Sequence, residues 1–188
     1  GVTRLTDSPY YGNWADQGNF LSLSGKSNSL SIEPIACHLR LDRKGIVWIN
    51  TSICATWDNY HFFNPITLVN NDRGNLMPQH IEKEIKRTQM NTFYLGASLG
   101  LAFRIGDVKI GANVTPEVLC YSESRYKTTD KEKYKTEIQG LNPVILKAGA
   151  TMTLDWFGVY VDYGLSPMFK KGTGNDARMV SIGLKVGI

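Results

Sequence analysis

From residue 92 to residue 105 every second side chain is apolar: Phe93, Leu95, Ala97, Leu99, Leu101, Phe103 and Ile105 share one phase. A period of two places such residues on one side of the chain only if the backbone is extended. The other phase reads Thr92, Tyr94, Gly96, Ser98, Gly100, Ala102 and Arg104. After Gly106-Asp107, a pair suited to a tight turn, the alternation resumes with Val108, Ile110, Ala112, Val114, Pro116, Val118 and Cys120. The two segments therefore read as a hairpin.

The same pattern runs through residues 144–154 and 157–168 around Asp155-Trp156, and again from Met179 to Ile188. Pairing Leu154 with Phe157 sets Lys147 opposite Gly164, with Asp162 one diagonal step away. Upstream, Val47, Ile49, Thr51, Ile53, Ala55 and Trp57 form a further strand face. Between residues 29 and 41 the phase changes: Leu30 and Ile32 keep one parity, Ile35, Cys37, Leu39 and Leu41 the other. Pro34 stands at the switch, where a β-bulge absorbs one residue. A strand near residues 2–6 is too short for the ~9 to 11 residues that cross a bilayer, so it is expected to begin upstream of Gly1. An export signal is absent from the opening residues, so it either never existed or lies upstream of Gly1.

The connections alternate in length. Short turns fall at 42–45, 106–107 and 155–156, and long polar connections at 7–28, 58–91, 122–139 and 169–178. With about eight strands every long connection lies at one end, as in outer-membrane barrels. The expected fold is thus all-β: a closed, antiparallel, up-and-down β-barrel of about eight strands, of the transmembrane type, with residues 1–188 as one domain.

Which face is wet follows from composition. A soluble barrel turns Lys and Glu outward, yet the polar phase here is mainly Gly, Ser, Thr, Ala and Asn. Its isolated charges, Arg104, Lys109, Glu117, Lys147, Asp162 and Lys185, suit a narrow interior in which charges must find partners. The apolar phase then faces outer-membrane lipid. Trp57, Phe93, Tyr121, Tyr163 and Phe169 at one level and Phe103, Trp156 and Phe157 at the other form two interfacial girdles. Lys and Arg number 21 against 17 Asp and Glu, a net charge of +4, too balanced for a nucleic-acid partner. No run approaches the ~20 apolar residues of a spanning helix.

Several residues resemble a family. Trp57-Asp58-Asn59-Tyr60-His61-Phe62, Lys86-Arg87-Thr88-Gln89-Met90, and Tyr163-Gly164-Leu165-Ser166-Pro167-Met168-Phe169 followed by Val180-Ser181-Ile182-Gly183-Leu184 look like the small outer-membrane β-barrel proteins of Bacteroidetes. The resemblance covers most of the chain from about Asn19 onward. It implies a porin-like barrel domain of a Gram-negative outer membrane and carries over no active site. The terminal Ile188 departs from the family's usual terminal aromatic.

Chemistry-bearing motifs are few. His38, His61 and His80 lack metal-ligand spacing, and Gly172-Thr173-Gly174 lacks the context of a phosphate cradle; no metal or other cofactor is expected. His38 is expected in the interior beside Arg40. His61, His80, Asp58 and Asp72 are the residues from which a hydrolase or acyltransferase centre at the rim would have to be built. The charges from Glu82 to Arg87, on a possible helical turn, and those from Arg125 to Lys135 read as solvated loop. Cys37, Cys54 and Cys120 are an odd set and read as apolar filler, with Cys37 and Cys54 out of register for a disulfide. The expected role is non-enzymatic: structural, adhesive or partner-binding, with a plugged interior and with loops 58–91 and 122–139 available to a protein or glycan. A lipocalin-like carrier of a small apolar ligand is the alternative.

Overall fold

The computed structural model describes residues 1–5, 21–71, 76–172 and 176–186. Among them are eleven strands and no helix: β1 (Val2–Leu5), β2 (Asn28–Arg40), β3 (Val47–His61), β4 (Ile66–Asn70), β5 (Leu76–His80), β6 (Ile85–Ile105), β7 (Val108–Thr128), β8 (Lys133–Glu137), β9 (Val144–Leu154), β10 (Phe157–Gly164) and β11 (Met179–Val186). Antiparallel pairing passes from β1 through β2, β3, β6, β7, β9, β10 and β11 and returns to β1, so eight strands close a ring. The closure is short. β1 pairs with β11 from Val2↔Ile182 to Leu5↔Met179, and with β2 only at Val2↔Asn28. β8 extends the sheet on β7, and β4 and β5 form a separate hairpin.

The turns are built by their residues. Gly106 and Asp155 adopt positive φ (62° and 49°) in the two tight turns, and Leu154 pairs with Phe157 as the alternation requires. The β2–β3 turn, expected over 42–45, sets a register of its own. Arg40 faces Trp48 and Cys37 faces Thr51, because the Asp42 carboxylate accepts the backbone N–H groups of Ile46 and Val47 (2.8 Å each) and of Lys44 (3.1 Å). Those bonds, Val47's foremost, hold the Asp42 carboxyl below the usual carboxylate range. The register shifts between Ile32 and Ile35, where Pro34 interrupts the strand. All three cysteines are free.

A second bulge, at Cys120, lies between Phe93↔Tyr121 and Tyr94↔Leu119. It turns Tyr121 outward and Leu119 inward, although simple alternation puts both on one face.

The strands also outrun the expected connections. Residues 85–91 and 122–128 are paired strand, and Lys133–Glu137 returns along β7, so neither a helical turn at 82–87 nor a solvated loop at 125–135 is found. The physical reason is that period two persists there without apolar residues: Ser122, Ser124, Tyr126 and Thr128 alternate with Glu123, Arg125 and Lys127.

The buried apolar core lies at the long-connection end. Leu21, Tyr60, Phe62, Ile66, Leu68, Leu76, Met90, Ile138, Leu141, Met168, Phe169 and Met179 pack there. The β4–β5 hairpin is fixed to the inward faces of upper β6 and β7 by Thr67 Oγ1 with Ser124 Oγ (2.9 Å), by Leu68 N donating to Ser124 Oγ (3.1 Å), and by Thr88 Oγ1 donating to Ile66 O. In the rest of the ring the sense is reversed. Leu99 is 58% exposed and Val161 45% exposed on the outer side, whereas Tyr94 is fully buried on the inner side.

Candidate functional site

The interior polar cluster is assembled from inward-facing residues of four neighbouring strands. Glu117 of β7 and Lys147 of β9 meet at 2.6 Å with side chains only 3% and 6% exposed. Thr56 Oγ1 of β3 donates to Glu117 Oε1 (3.2 Å), and the Lys147 ammonium lies 5.8 Å from the centre of the Tyr94 ring on β6. Asp58, two residues above Thr56, is buried and accepts a hydrogen bond from Tyr60 Oη (3.3 Å). Such a pair is costly to bury and more costly to break, so it fixes the packing around it.

The six charges expected in one network fall into separate groups. Glu117 and Lys147 form the pair just described. Lys185 of β11 reaches past the short β1 to Glu33 of β2 (2.6 Å), and Asp162 has no ion pair among the described residues. The two cations expected to hold it are taken, Lys147 by Glu117 and Lys185 by Glu33, although Asp162 remains within the field of both lysines. Arg104 and Lys109 are direct cross-strand neighbours beside the short turn. Arg104 donates to Gly106 O (3.0 Å) and the Lys109 ammonium sits 4.7 Å from the Trp48 ring centre. Both are second from the turn, so their side chains extend to the open mouth and leave the buried cluster.

Glu33 and Asp58 went unrecognised as interior residues in the sequence. The bulge at Pro34 gives Glu33 its direction, and the parity of Trp48, Asn50, Ser52, Cys54 and Thr56, continued by two residues, would have found Asp58. His38 is exposed near the short-turn mouth and shares a hydrogen bond with Asn50 Oδ1 (2.8 Å). The rim residues do not converge: Asp58 faces inward and His61 outward from β3, His80 is exposed on β5, and Asp72 lies outside the described residues. His61 is instead in contact with Arg87, Nε2 to Nη2 at 3.0 Å.

A second feature lies on the outer surface at the level where the apolar phase ends. The pairing aligns residues into rows across β2, β3, β6, β7 and β8. One row is Leu30, Trp57, Phe93 and Tyr121; Trp57 and Phe93 stack at 4.7 Å between ring centres. The next is Asn28, Asn59, Asn91, Glu123 and Glu137, joined by Asn59 Nδ2 to Asn28 Oδ1 (3.1 Å) and Asn91 Nδ2 to Glu123 Oε1 (2.8 Å). Between these rows a groove of about 450 Å³ opens, lined by the aromatic rings of Trp57, Phe93 and Tyr121 and by the polar residues Asp58, Asn59, Asn91, Thr92, Glu123 and Arg125. Alternation puts Trp57 and Phe93 in the aromatic row; Tyr121 joins it through the bulge at Cys120, and the polar rows above it required the register. Among the described residues no group of three His, Cys, Asp or Glu side chains is arranged to hold a metal ion.

Comparison with known proteins places the chain beside none of them: no family model, no curated protein and no solved structure matches it.

Proposed function

We propose that the chain is a transmembrane β-barrel of a bacterial outer membrane, non-enzymatic, with a plugged interior and with its long-connection end offered to protein or glycan partners. The observation that carries this reading is the abrupt change in outer-face chemistry at one row of the register. Above Trp57, Phe93 and Tyr121 the outward residues are Asn59 and His61, Asn91, Gln89 and Arg87, and Glu123, Arg125 and Lys127. Below it they are Ala55, Ile53 and Ile49, then Leu95, Leu99 and Leu101, then Val118, Val114 and Ile110. From Phe93 to Phe103 a strand rises roughly 34 Å, which at the usual tilt of such barrels is about 25 Å along the axis, the height of a hydrocarbon band. An apolar surface of this extent in water would be an aggregation site.

A soluble carrier of an apolar ligand needs the opposite arrangement, with its apolar phase turned inward. Here the inward residues of the band include Ser52, Gly96, Gly100, Thr115, Tyr160 and the Glu117–Lys147 pair. The buried core at the long-connection end, with Tyr94 and that pair beneath it, supports a barrel that conducts no ions. The fit to the Bacteroidetes resemblance is part of the same proposal. The test is reconstitution: the purified chain should float with phosphatidylcholine vesicles, resist extraction at alkaline pH, and give no conductance steps in planar bilayers. A chain that stays in the aqueous fraction, folded and monomeric, would overturn the reading.

A further inference from the structure

Above the groove the outward face of β6, β7 and β8 places like charges side by side. Arg125 pairs with Lys135, and one row further Arg87 pairs with Lys127 and Lys127 with Lys133. Five cations thus share a face with two carboxylates, Glu123 and Glu137, a net charge of +3. Glu123 is already engaged by Arg125, by Lys135 (3.9 Å), by Asn91 and by Tyr121 Oη (2.7 Å). Arg87 leans on His61, and neither Lys127 nor Lys133 has an ion pair among the described residues. Like charges directly opposite one another destabilise a sheet, so a row of three is expected where an anion offsets their repulsion.

We propose that this strip holds the phosphorylated sugar headgroup of a membrane glycolipid. The inference rests on the barrel reading above. Three levels of one continuous surface match three parts of such a lipid. The apolar faces of Leu95, Leu99 and Val118 suit acyl chains. The groove suits a sugar, because its aromatic rings take the C–H face while the side-chain amides of Asn59 and Asn91 take the hydroxyls. The cation rows suit phosphate, which Arg and Lys bind by charge and hydrogen bond. A free phosphosugar satisfies only the last two levels, and the continuity with the apolar band favours the lipid.

The full chain, inserted in phosphatidylcholine vesicles, is titrated with a bisphosphorylated diglucosamine glycolipid, with its dephosphorylated counterpart and with the water-soluble headgroup lacking acyl chains. Native mass spectrometry of the detergent-extracted protein reads the lipid retained. The parent should retain the phosphorylated glycolipid in preference to the other two. Lys127→Ala/Lys133→Ala, two changes at a solvated face, should weaken retention roughly 10- to 30-fold, and Lys44→Ala, at the opposite end, should leave it unchanged. Equal retention by the double variant, or of the dephosphorylated lipid, would overturn the inference while leaving the barrel reading intact. Equally tight binding of the soluble headgroup would overturn the assignment to a membrane lipid. Failure of the parent to float with the vesicles would remove the barrel reading, and this inference with it.

Discussion

Met90 and Leu95 lie five residues apart on β6 and are surrounded in opposite ways. Met90 is fully buried in the apolar core at the long-connection end, facing inward under the β4–β5 hairpin, whereas Leu95 faces outward and is 45% exposed. Around Met90 the outward neighbours are Gln89 and Asn91; around Leu95 the inward neighbours are Tyr94 and Gly96. One strand therefore satisfies two rules. At its upper end apolar groups leave water by turning inward, as in any soluble domain. Lower down the polar groups turn inward and pair, which is favourable only where the surroundings are less polar than the interior. On the proposed barrel reading, the crossover at Trp57, Phe93 and Tyr121 is where water gives way to hydrocarbon.

The largest expected effect probes how dry the interior is. Lys147→Ala leaves Glu117 without its partner and should cost about 3 to 5 kcal/mol in urea unfolding from lipid. Replacing both residues, by Lys147→Met and Glu117→Leu, should recover much of that loss. A Lys147→Ala variant as stable as the parent would mean that water reaches the pair.

The next sharpens the crossover directly. Leu99→Arg, in the middle of the apolar band, should destabilise the lipid-embedded chain by about 2 to 4 kcal/mol. Asn91→Arg, on the same strand and face but above the aromatic row and half-buried, should change it by less than about 1 kcal/mol. Equal costs at the two positions would erase the distinction between the regions.

A smaller effect belongs to the upper region alone. Burial first, then the neighbouring charges of Arg87 and Lys26, hold the His61 imidazole below its ordinary value of 6.5. Folding thus favours the neutral ring. Stability from this group is present above the unfolded value and is lost as pH falls through 6.5 towards the folded value. Proton NMR should place the His61 midpoint below 6.5, and Arg87→Gln should raise it; a midpoint unmoved by that change would separate the two side chains. Smallest of all, Lys83→Ala removes an exposed pair with Glu132 (3.3 Å), and should leave the urea midpoint where it is in the parent.

Much of the ring was legible because alternation is a local signal. The Leu154–Phe157 pairing, the bulge at Pro34 and the outward direction of Leu99 and Val161 each follow from parity within one segment. What escaped depends on where parity changes or on non-local pairing. The bulge at Cys120 carries no proline, and it alone decides that Tyr121 joins Trp57 and Phe93 outside. The upper ends of β6 and β7 alternate between two kinds of polar residue, so hydropathy gives no contrast there. Partner choice in the interior was equally hidden. Lys147 has Asp162 diagonally across one strand and Glu117 across the other, since Glu117 pairs with Ile145, and only the closed ring shows which carboxylate it meets.

The central claim is that the outer face below the aromatic row contacts hydrocarbon. Spin labels at Leu99→Cys and, separately, Lys127→Cys, each in a chain whose Cys37, Cys54 and Cys120 are replaced by serine, report this directly in phosphatidylcholine bilayers. Collision rates are measured with oxygen, which concentrates in the membrane, and with a water-soluble nickel chelate. The account predicts a Leu99 label relaxed by oxygen and shielded from the chelate, and the reverse at Lys127. A Leu99 label as accessible to the chelate as the Lys127 label would contradict it.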